Sequence, residues 1–145
     1  MATQRKNVGD VMTPSAEFIP GSASLREAAI KMKSLRCGFL PISDSAGDRL
    51  QGVITDRDIV LRAIAEGMDA ETTAVEDVAT ESVLYCFRSD SLEQAARSMH
   101  QQQVYRLVVL EEEGNKQMCG IVTLNDIVRH DERAIAMAAV QGIAA

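Results

Sequence analysis

The chain contains an internal repeat, and this repeat limits the folds open to it more than any single motif does. Residues 52–60 read GVITDRDIV, and residues 120–128 read GIVTLNDIV. A shift of 67 positions aligns matching residues upstream of these phrases, and after one inserted residue in a turn the shift becomes 68. Because the matches keep one order along nearly the whole chain, the sequence predicts two copies of one supersecondary unit.

Each copy carries the same local signals. Ser24 with Glu27 predicts a capping box at the start of a helix, and Ser91 with Gln94 repeats it in copy two. AEFIP before that helix is typical of a short strand, and two apolar runs separated by a polar turn follow it. The runs are GFLPIS and LQGVIT in copy one, and YRLVVL and QMCGIV in copy two. A last helix is predicted from about Asp56 to a C-cap glycine at position 67.

These signals predict an α/β fold of the α+β kind, in which each unit runs β-α-β-β-α. A unit of about 60 residues is too small to bury its apolar faces well alone, so the two units are expected to pack together. The predicted boundaries are residues 8–67 for unit one, 68–74 for a linker and 75–130 for unit two. Residues 131–145 have an Ala-rich helical pattern and are predicted to form a C-terminal helix or tail.

The charge distribution argues against a nucleic-acid partner. The formal net charge is −6. Residues 1–70 contain nine basic and nine acidic side chains, whereas residues 71–145 contain six and twelve, so the acidic excess lies in the second half. A chain of this sign repels a phosphate backbone, and the sequence has no basic patch to offset the repulsion.

Membrane, secretory and metal-binding classes are not indicated either. No apolar run approaches the roughly 18 residues of a membrane span, and the N-terminus has no apolar signal-peptide core, which predicts a cytoplasmic protein. Cys37, Cys86 and Cys119 are far apart and form no CxxC pair. They are therefore interpreted as small hydrophobes at or near buried strands, with a redox or metal role for Cys86 and Cys119 as the alternative, and neither a zinc site nor a disulfide framework is predicted.

The repeated phrase has two interpretations. Thr55 with Asp58, and Thr123 with Asp126, have the spacing of an N-terminal capping box. The same geometry at a strand-to-helix junction offers donors for a phosphate, and an acid that accepts hydrogen bonds from a ribose diol. Arg57 adds a cation in copy one, where copy two has Asn125. The two sites are therefore expected to be unequal, and charge favours the one with Arg57.

The sequence as a whole resembles a known family. The paired G-h-h-T-x-x-D-h-h phrases (h, apolar), the opening VGDVMTP and the Leu-Pro-Ile segment of copy one are similar to a tandem cystathionine-β-synthase (CBS) domain pair, the Bateman module. The resemblance is especially marked to small stand-alone bacterial pairs, and it covers residues 8–130. It implies two pseudo-twofold-related units packed through their sheets, with two clefts that bind adenosyl ligands such as AMP, ADP, ATP, NAD(H) or S-adenosylmethionine.

The resemblance also implies which residues line the clefts. Asp58 and Asp126 would hold the ribose hydroxyls, and Thr55 and Thr123 the phosphate or ribose side. Phe39 stands where the family often has a polar or basic residue, so it would either stack on adenine or fill the cleft. The remaining implied ligand-binding residues are Thr13, Pro14, Ala16, Gly38, Leu40, Thr80, Val83, Val104, Tyr105 and Arg106, together with Arg57 and Asn125.

The functional prediction is a regulatory sensor. No nucleophile motif or His accompanies the acids, so no catalytic residue, enzyme activity or cofactor is expected beyond an adenine nucleotide as effector. The helices that end each copy predict a homodimer, and the signal would pass to a separate effector protein. The alternative is a stress-associated structural or interaction protein whose vestigial clefts bind nothing.

Overall fold

The structure is a computed structural model that describes residues 6–14, 17–44, 49–80 and 85–130. The predicted C-terminal helix at 131–145 and the predicted site residues Ala16 and Val83 lie outside these ranges. The described chain is a mixed α/β fold, as the sequence predicts, and its elements repeat in the two copies.

The elements of copy one begin with helix α1 (Val8–Val11) and strand β1 (Thr13–Pro14). They continue with helix α2 (Leu25–Leu35), strands β2 (Phe39–Ser43) and β3 (Leu50–Thr55), and helix α3 (Asp56–Asp58), which runs into a π-helix at Ile59–Ile64. Copy two has a 3₁₀ turn at Val75–Asp77, strand β4 (Tyr85–Phe87), helix α4 (Leu92–Gln102), strands β5 (Arg106–Glu112) and β6 (Asn115–Thr123), and helix α5 (Leu124–Arg129).

The helix starts follow the predicted capping chemistry. The Ser24 hydroxyl accepts a hydrogen bond from the Glu27 N–H, and the Glu27 carboxylate accepts one from the Ser24 N–H. Ser91 and Gln94 make the same reciprocal pair at α4. At the other end of copy one, Gly67 has φ 77°, the left-handed conformation predicted for a C-cap glycine.

Among the described residues, the short strand that precedes the capped helix is formed in copy two. There, β4 pairs in parallel with β5, with Cys86 opposite Val109. In copy one the predicted strand AEFIP is reduced, within the described residues, to a single parallel bridge between Ile19 and Ile42. The hairpin strands β2 and β3 pair with each other, and β5 and β6 do so in the larger sheet, whose order is β1-β6-β5-β4.

The two compact units of the structure differ from the two sequence copies. The copy-one unit comprises described residues between 17 and 80, and the copy-two unit comprises 6–14 and 85–130. Strand β1 therefore pairs with β6 of copy two, with Thr13 opposite Ile121. Conversely, Thr80 forms an antiparallel bridge to Val53 in copy one. The predicted boundaries describe the copies along the sequence, whereas the folded units have exchanged their first segments.

The exchanged segments contribute to the cores. Val8 and Val11 are buried with Leu107 and Val122 in the copy-two unit. Val75 and Val78, at the aligned positions, are buried with the aliphatic core of the copy-one unit. The predicted linker at 68–74 is also packed, because the carbonyls of Ala70 and Thr73 accept hydrogen bonds from the first turn of α2.

Candidate functional site

Both Thr-x-x-Asp phrases form the predicted capping box. The Asp58 N–H donates to the Thr55 hydroxyl at 3.0 Å, and the Thr55 N–H donates to Asp58 Oδ2 at 3.0 Å. In copy two the Asp126 N–H donates to the Thr123 hydroxyl at 3.1 Å, and the Thr123 N–H donates to Asp126 Oδ2 at 2.9 Å. The structural interpretation of the repeat is therefore confirmed in both copies, and each carboxylate keeps one oxygen outside its capping box.

In both copies, an equivalent backbone hydrogen bond holds the start of the second strand beside the capping box. The Asp56 N–H donates to the Gly38 carbonyl at 2.9 Å, and the Leu124 N–H donates to the Tyr105 carbonyl at 2.9 Å. This bond brings the predicted pair of Gly38 and Phe39 next to Thr55, and the predicted pair of Tyr105 and Arg106 next to Thr123. The described halves of the two predicted sites are thus assembled in the same way.

The copy-two unit has an open cleft at this position. Its volume is about 530 Å³, which lies within the usual range for small-molecule sites. Tyr105 is half exposed, and Asp126 follows the lining residue Asn125 directly along the chain. The described lining residues are Tyr105, Arg106, Thr123, Leu124, Asn125 and Val128.

Arg106 gives this cleft a positive charge. In the described part of the chain no carboxylate forms an ion pair with Arg106. Asp126 accepts its one described side-chain bond from Thr123, so its Oδ1 has no donor within residues 6–14 and 85–130. The cleft therefore combines a cation and the face of an aromatic ring, and Asp126, next to its lining residue Asn125, has free acceptor capacity among the described residues.

The copy-one unit differs at several of the matching positions. Phe39, which aligns with Arg106, is buried, and its two predicted roles, stacking on adenine or filling the cleft, stay predictions. The Asp56 carboxylate lies against Gly38, so closely that a Cβ at position 38 would collide with it. Arg57 is exposed. The acid at this site is engaged too, because the Thr80 hydroxyl is 3.0 Å from both oxygens of Asp58.

The exchange of first segments decides which predicted residues share a unit. Thr13 and Pro14 belong with Thr123 and Asp126, because β1 pairs with β6. Thr80 belongs with Asp58. Two further groups were not predicted as site residues: the cleft residues Leu124 and Val128, and Arg62, which lies 4.0 Å from Asp58. The i,i+4 spacing of Asp58 and Arg62 is the sequence signal that points to their contact.

Comparison with known proteins decides the family. The model of the CBS domain matches residues 8–64 and 75–133, and these two matches cover most of the chain. This chain belongs to the CBS-domain family. Hypoxic response protein 1 of Mycobacterium tuberculosis is 35% identical over 121 residues, which are 83% of this chain and 82% of that protein. The resemblance to small stand-alone bacterial pairs is confirmed.

Solved structures agree on the fold. The crystal structure of Hypoxic Response Protein I, with two coordinated zinc ions, has a TM-score of 0.77 at 34% identity and covers 86% of this chain and 98% of its own. The CBS domain pair of protein MJ0100, in complex with 5′-methylthioadenosine and S-adenosyl-L-methionine, has a TM-score of 0.75 at 25% identity. It covers 88% of this chain and 96% of its own. The crystal structure of CBSX2 in complex with AMP has a TM-score of 0.72 at 27% identity, and it covers 89% of this chain and 98% of its own.

The zinc of the first relative has no counterpart in the described residues. Among residues 6–14, 17–44, 49–80 and 85–130, no three His, Cys, Asp or Glu side chains come together as ligands would. Within the same ranges, no helix is long and apolar enough to cross a bilayer.

Proposed function

We propose that this chain is a regulatory module that binds an adenosyl ligand in the copy-two cleft and passes the signal to a separate effector protein. The observation that carries the proposal is the open cleft of about 530 Å³ beside Asp126. Two CBS pairs with the same fold bind AMP or S-adenosylmethionine, which supports an adenosyl ligand in general. Neither a catalytic residue nor a cofactor forms part of the proposal.

The residues of the cleft supply complementary roles for such a ligand. The Asp126 oxygen that has no donor among the described residues accepts from a ribose hydroxyl, and the exposed ring of Tyr105 offers a flat apolar face to adenine. Arg106 pairs with phosphate through its planar guanidinium. Because the described residues place no second cation there, Arg106 favours the anionic candidates AMP, ADP, ATP and NAD(H) over the sulfonium cation of S-adenosylmethionine.

The proposed ligand site is the copy-two cleft, whereas the charge of Arg57 alone favoured the copy-one cleft. The sequence favoured the cleft with Arg57, but in copy one Phe39 is buried, the Asp56 carboxylate lies against Gly38, and Asp58 already has donors. A ligand signal then acts by its differential affinity for two arrangements of the chain, a coupling of about 1–3 kcal/mol in typical cases. The proposed assembly is a homodimer.

Calorimetric titration of paired variants tests the binding. Wild type is expected to bind one equivalent of an anionic adenine nucleotide, and Asp126→Asn is expected to weaken binding at least ~10-fold, since it removes the charge and one of the two oxygens that accept from the diol. The matched variant Asp58→Asn is expected to keep wild-type affinity. Arg106→Gln should weaken AMP but not adenosine, whereas Arg57→Gln, at an exposed cation outside the cleft, should change neither.

Thermal melting gives an independent readout. A ligand at 100 times its Kd adds roughly 2.7 kcal/mol to the free energy of unfolding, so the melting temperature must rise by several degrees. Absence of heat and of any melting shift with AMP, ADP, ATP, NAD(H) and S-adenosylmethionine would defeat the proposal. That result would favour the alternative, an interaction protein with vestigial clefts.

A further inference from the structure

One contact sets the copy-one acid apart from its copy-two counterpart. The Thr80 hydroxyl lies 3.0 Å from Asp58 Oδ1 and 3.0 Å from Oδ2, so it sits midway between the two oxygens. Asp58 is 8% exposed, and its Oδ2 also accepts from the Thr55 N–H. Arg62 Nη1 lies 4.0 Å from Oδ1. The buried carboxylate is therefore satisfied inside its own unit.

Thr80 is held in this position by its neighbours. Its N–H donates to the Val53 carbonyl at 2.9 Å, and its carbonyl accepts from the Val53 N–H at 3.2 Å. Arg62 Nη1 donates to the Ala79 carbonyl at 3.0 Å. The hydroxyl is thus fixed over Asp58 by the backbone on one side and by the adjacent residue on the other.

A ribose diol needs the place that this hydroxyl takes. An ionised carboxylate offers about four acceptor positions on its two oxygens, and a vicinal diol uses one on each oxygen. A donor centred between the oxygens competes for both. The bound hydroxyl must give up its contact with Asp58 before the diol enters, and the loss of that contact is a cost that ligand binding has to offset.

We propose that Thr80 is the specificity-determining residue that keeps Asp58 closed to a ribose diol, so that ligand enters the Asp126 cleft alone. The inference rests on the proposed function for the role of the acid and extends it to the second copy. Thr13 aligns with Thr80, but it is exposed and pairs with Ile121. Within the described residues Thr13 makes no bond to Asp126, so position rather than residue identity separates the two copies.

Titration of AMP into Thr80 variants tests the closure. Thr80→Ala removes the hydroxyl and vacates its place, so it is expected to raise the stoichiometry from one equivalent to two. Thr80→Ser keeps the hydroxyl and is expected to bind one equivalent. The double variant Thr80→Ala with Asp126→Asn is expected to bind one equivalent at Asp58, whereas Asp126→Asn alone binds at least ~10-fold more weakly than wild type. Circular dichroism confirms folding, and Thr80→Val provides a second hydroxyl-free variant.

The outcomes separate this inference from the proposed function. One equivalent whose binding is weakened in Asp126→Asn, with no gain in Thr80→Ala or Thr80→Val, overturns the closure and leaves the proposed function standing. Binding in Thr80→Ala without binding in wild type supports the closure and overturns the proposed function. Two equivalents in wild type also overturn the closure, and absence of binding in every variant overturns both.

Discussion

At the scale of single residues, the repeat predicted the hydrogen bonds within each capping box but not the contacts with residues distant in sequence. The capping roles of Thr55, Asp58, Thr123 and Asp126 were predictable, because a capping box involves residues three positions apart. The contact of Thr80 with Asp58 joins residues 22 positions apart and depends on the exchanged segment. The identity of Thr and Asp in both copies therefore could not show that Asp58 accepts from Thr80, whereas Asp126 has no such partner among the described residues.

The Cys86 thiol provides a prediction for alkaline pH. It is 5% exposed, and burial, with smaller contributions from Asp90 and Cys119, raises its pKa from 9.0 to about 12. Between these values the unfolded chain loses the proton and the folded chain keeps it. The free energy of unfolding therefore falls with rising pH in this window, by about 1.4 kcal/mol per pH unit from this group.

Urea unfolding of wild type and Cys86→Ala as a function of pH measures this contribution. Below about pH 8 both states keep the thiol proton, so the stability difference between the two proteins is expected to be constant there. Above pH 9 the difference should shrink, because Cys86→Ala lacks the thiol that titrates only in its unfolded state. Parallel pH curves up to pH 11 would contradict the burial of this thiol.

At the scale of elements, the sequence predicted the order of helices and strands but not their membership in units. Hydrophobic periodicity and caps are local, so α2, α4 and the hairpin strands were predictable. Pairing of β1 with β6 joins Pro14 to Gly120, and no local pattern specifies such a partner. The insertion of a π-helix after Asp58, where copy two has α-helix, was likewise not indicated by the sequence.

The exchange of first segments predicts where a core mutation loosens the chain. Val8 and Val75 are aligned, and both are 0% exposed, one in each core. Replacing either with Ala is expected to cost about 2–3 kcal/mol by loss of buried apolar groups. Val8→Ala should speed amide exchange in β5 and β6 of copy two, although it belongs to copy one by sequence.

Hydrogen exchange by mass spectrometry resolves this directly. Val75→Ala is the reciprocal control, and it should speed exchange in β2 and β3 while leaving β5 and β6 near wild type. Both experiments are done below the melting temperature so that local opening dominates. Faster exchange in β2 and β3 for Val8→Ala would show that the units follow the sequence copies instead.

At the scale of the whole molecule, the repeat predicted the family and left the assembly open. The two CBS matches follow from the duplicated phrases, and the match to residues 8–64 and 75–133 confirms them. A homodimer interface is identified from the side chains that are exposed in the folded chain, and the periodicity of the sequence does not determine which these are. The cytoplasmic location, the effector protein and the homodimer remain predictions.

An apolar patch in the copy-one unit offers a test of the homodimer. Val60, Leu61, Ile64 and Met68 lie on successive turns after Asp58. Each is more than 40% exposed. A patch of this kind is typical of an interaction surface, and a second copy of the chain would bury it.

Ile64→Glu is expected to convert the dimer to monomer, because it places a charge in an apolar contact. Ile30→Glu is the matched control, since Ile30 and Ile64 are 54% and 55% exposed and differ in that Ile30 lies on α2. Light scattering after size exclusion should give about twice 15.7 kDa for wild type and Ile30→Glu, and about 15.7 kDa for Ile64→Glu. Equal masses for the two variants would remove this patch from the dimer interface.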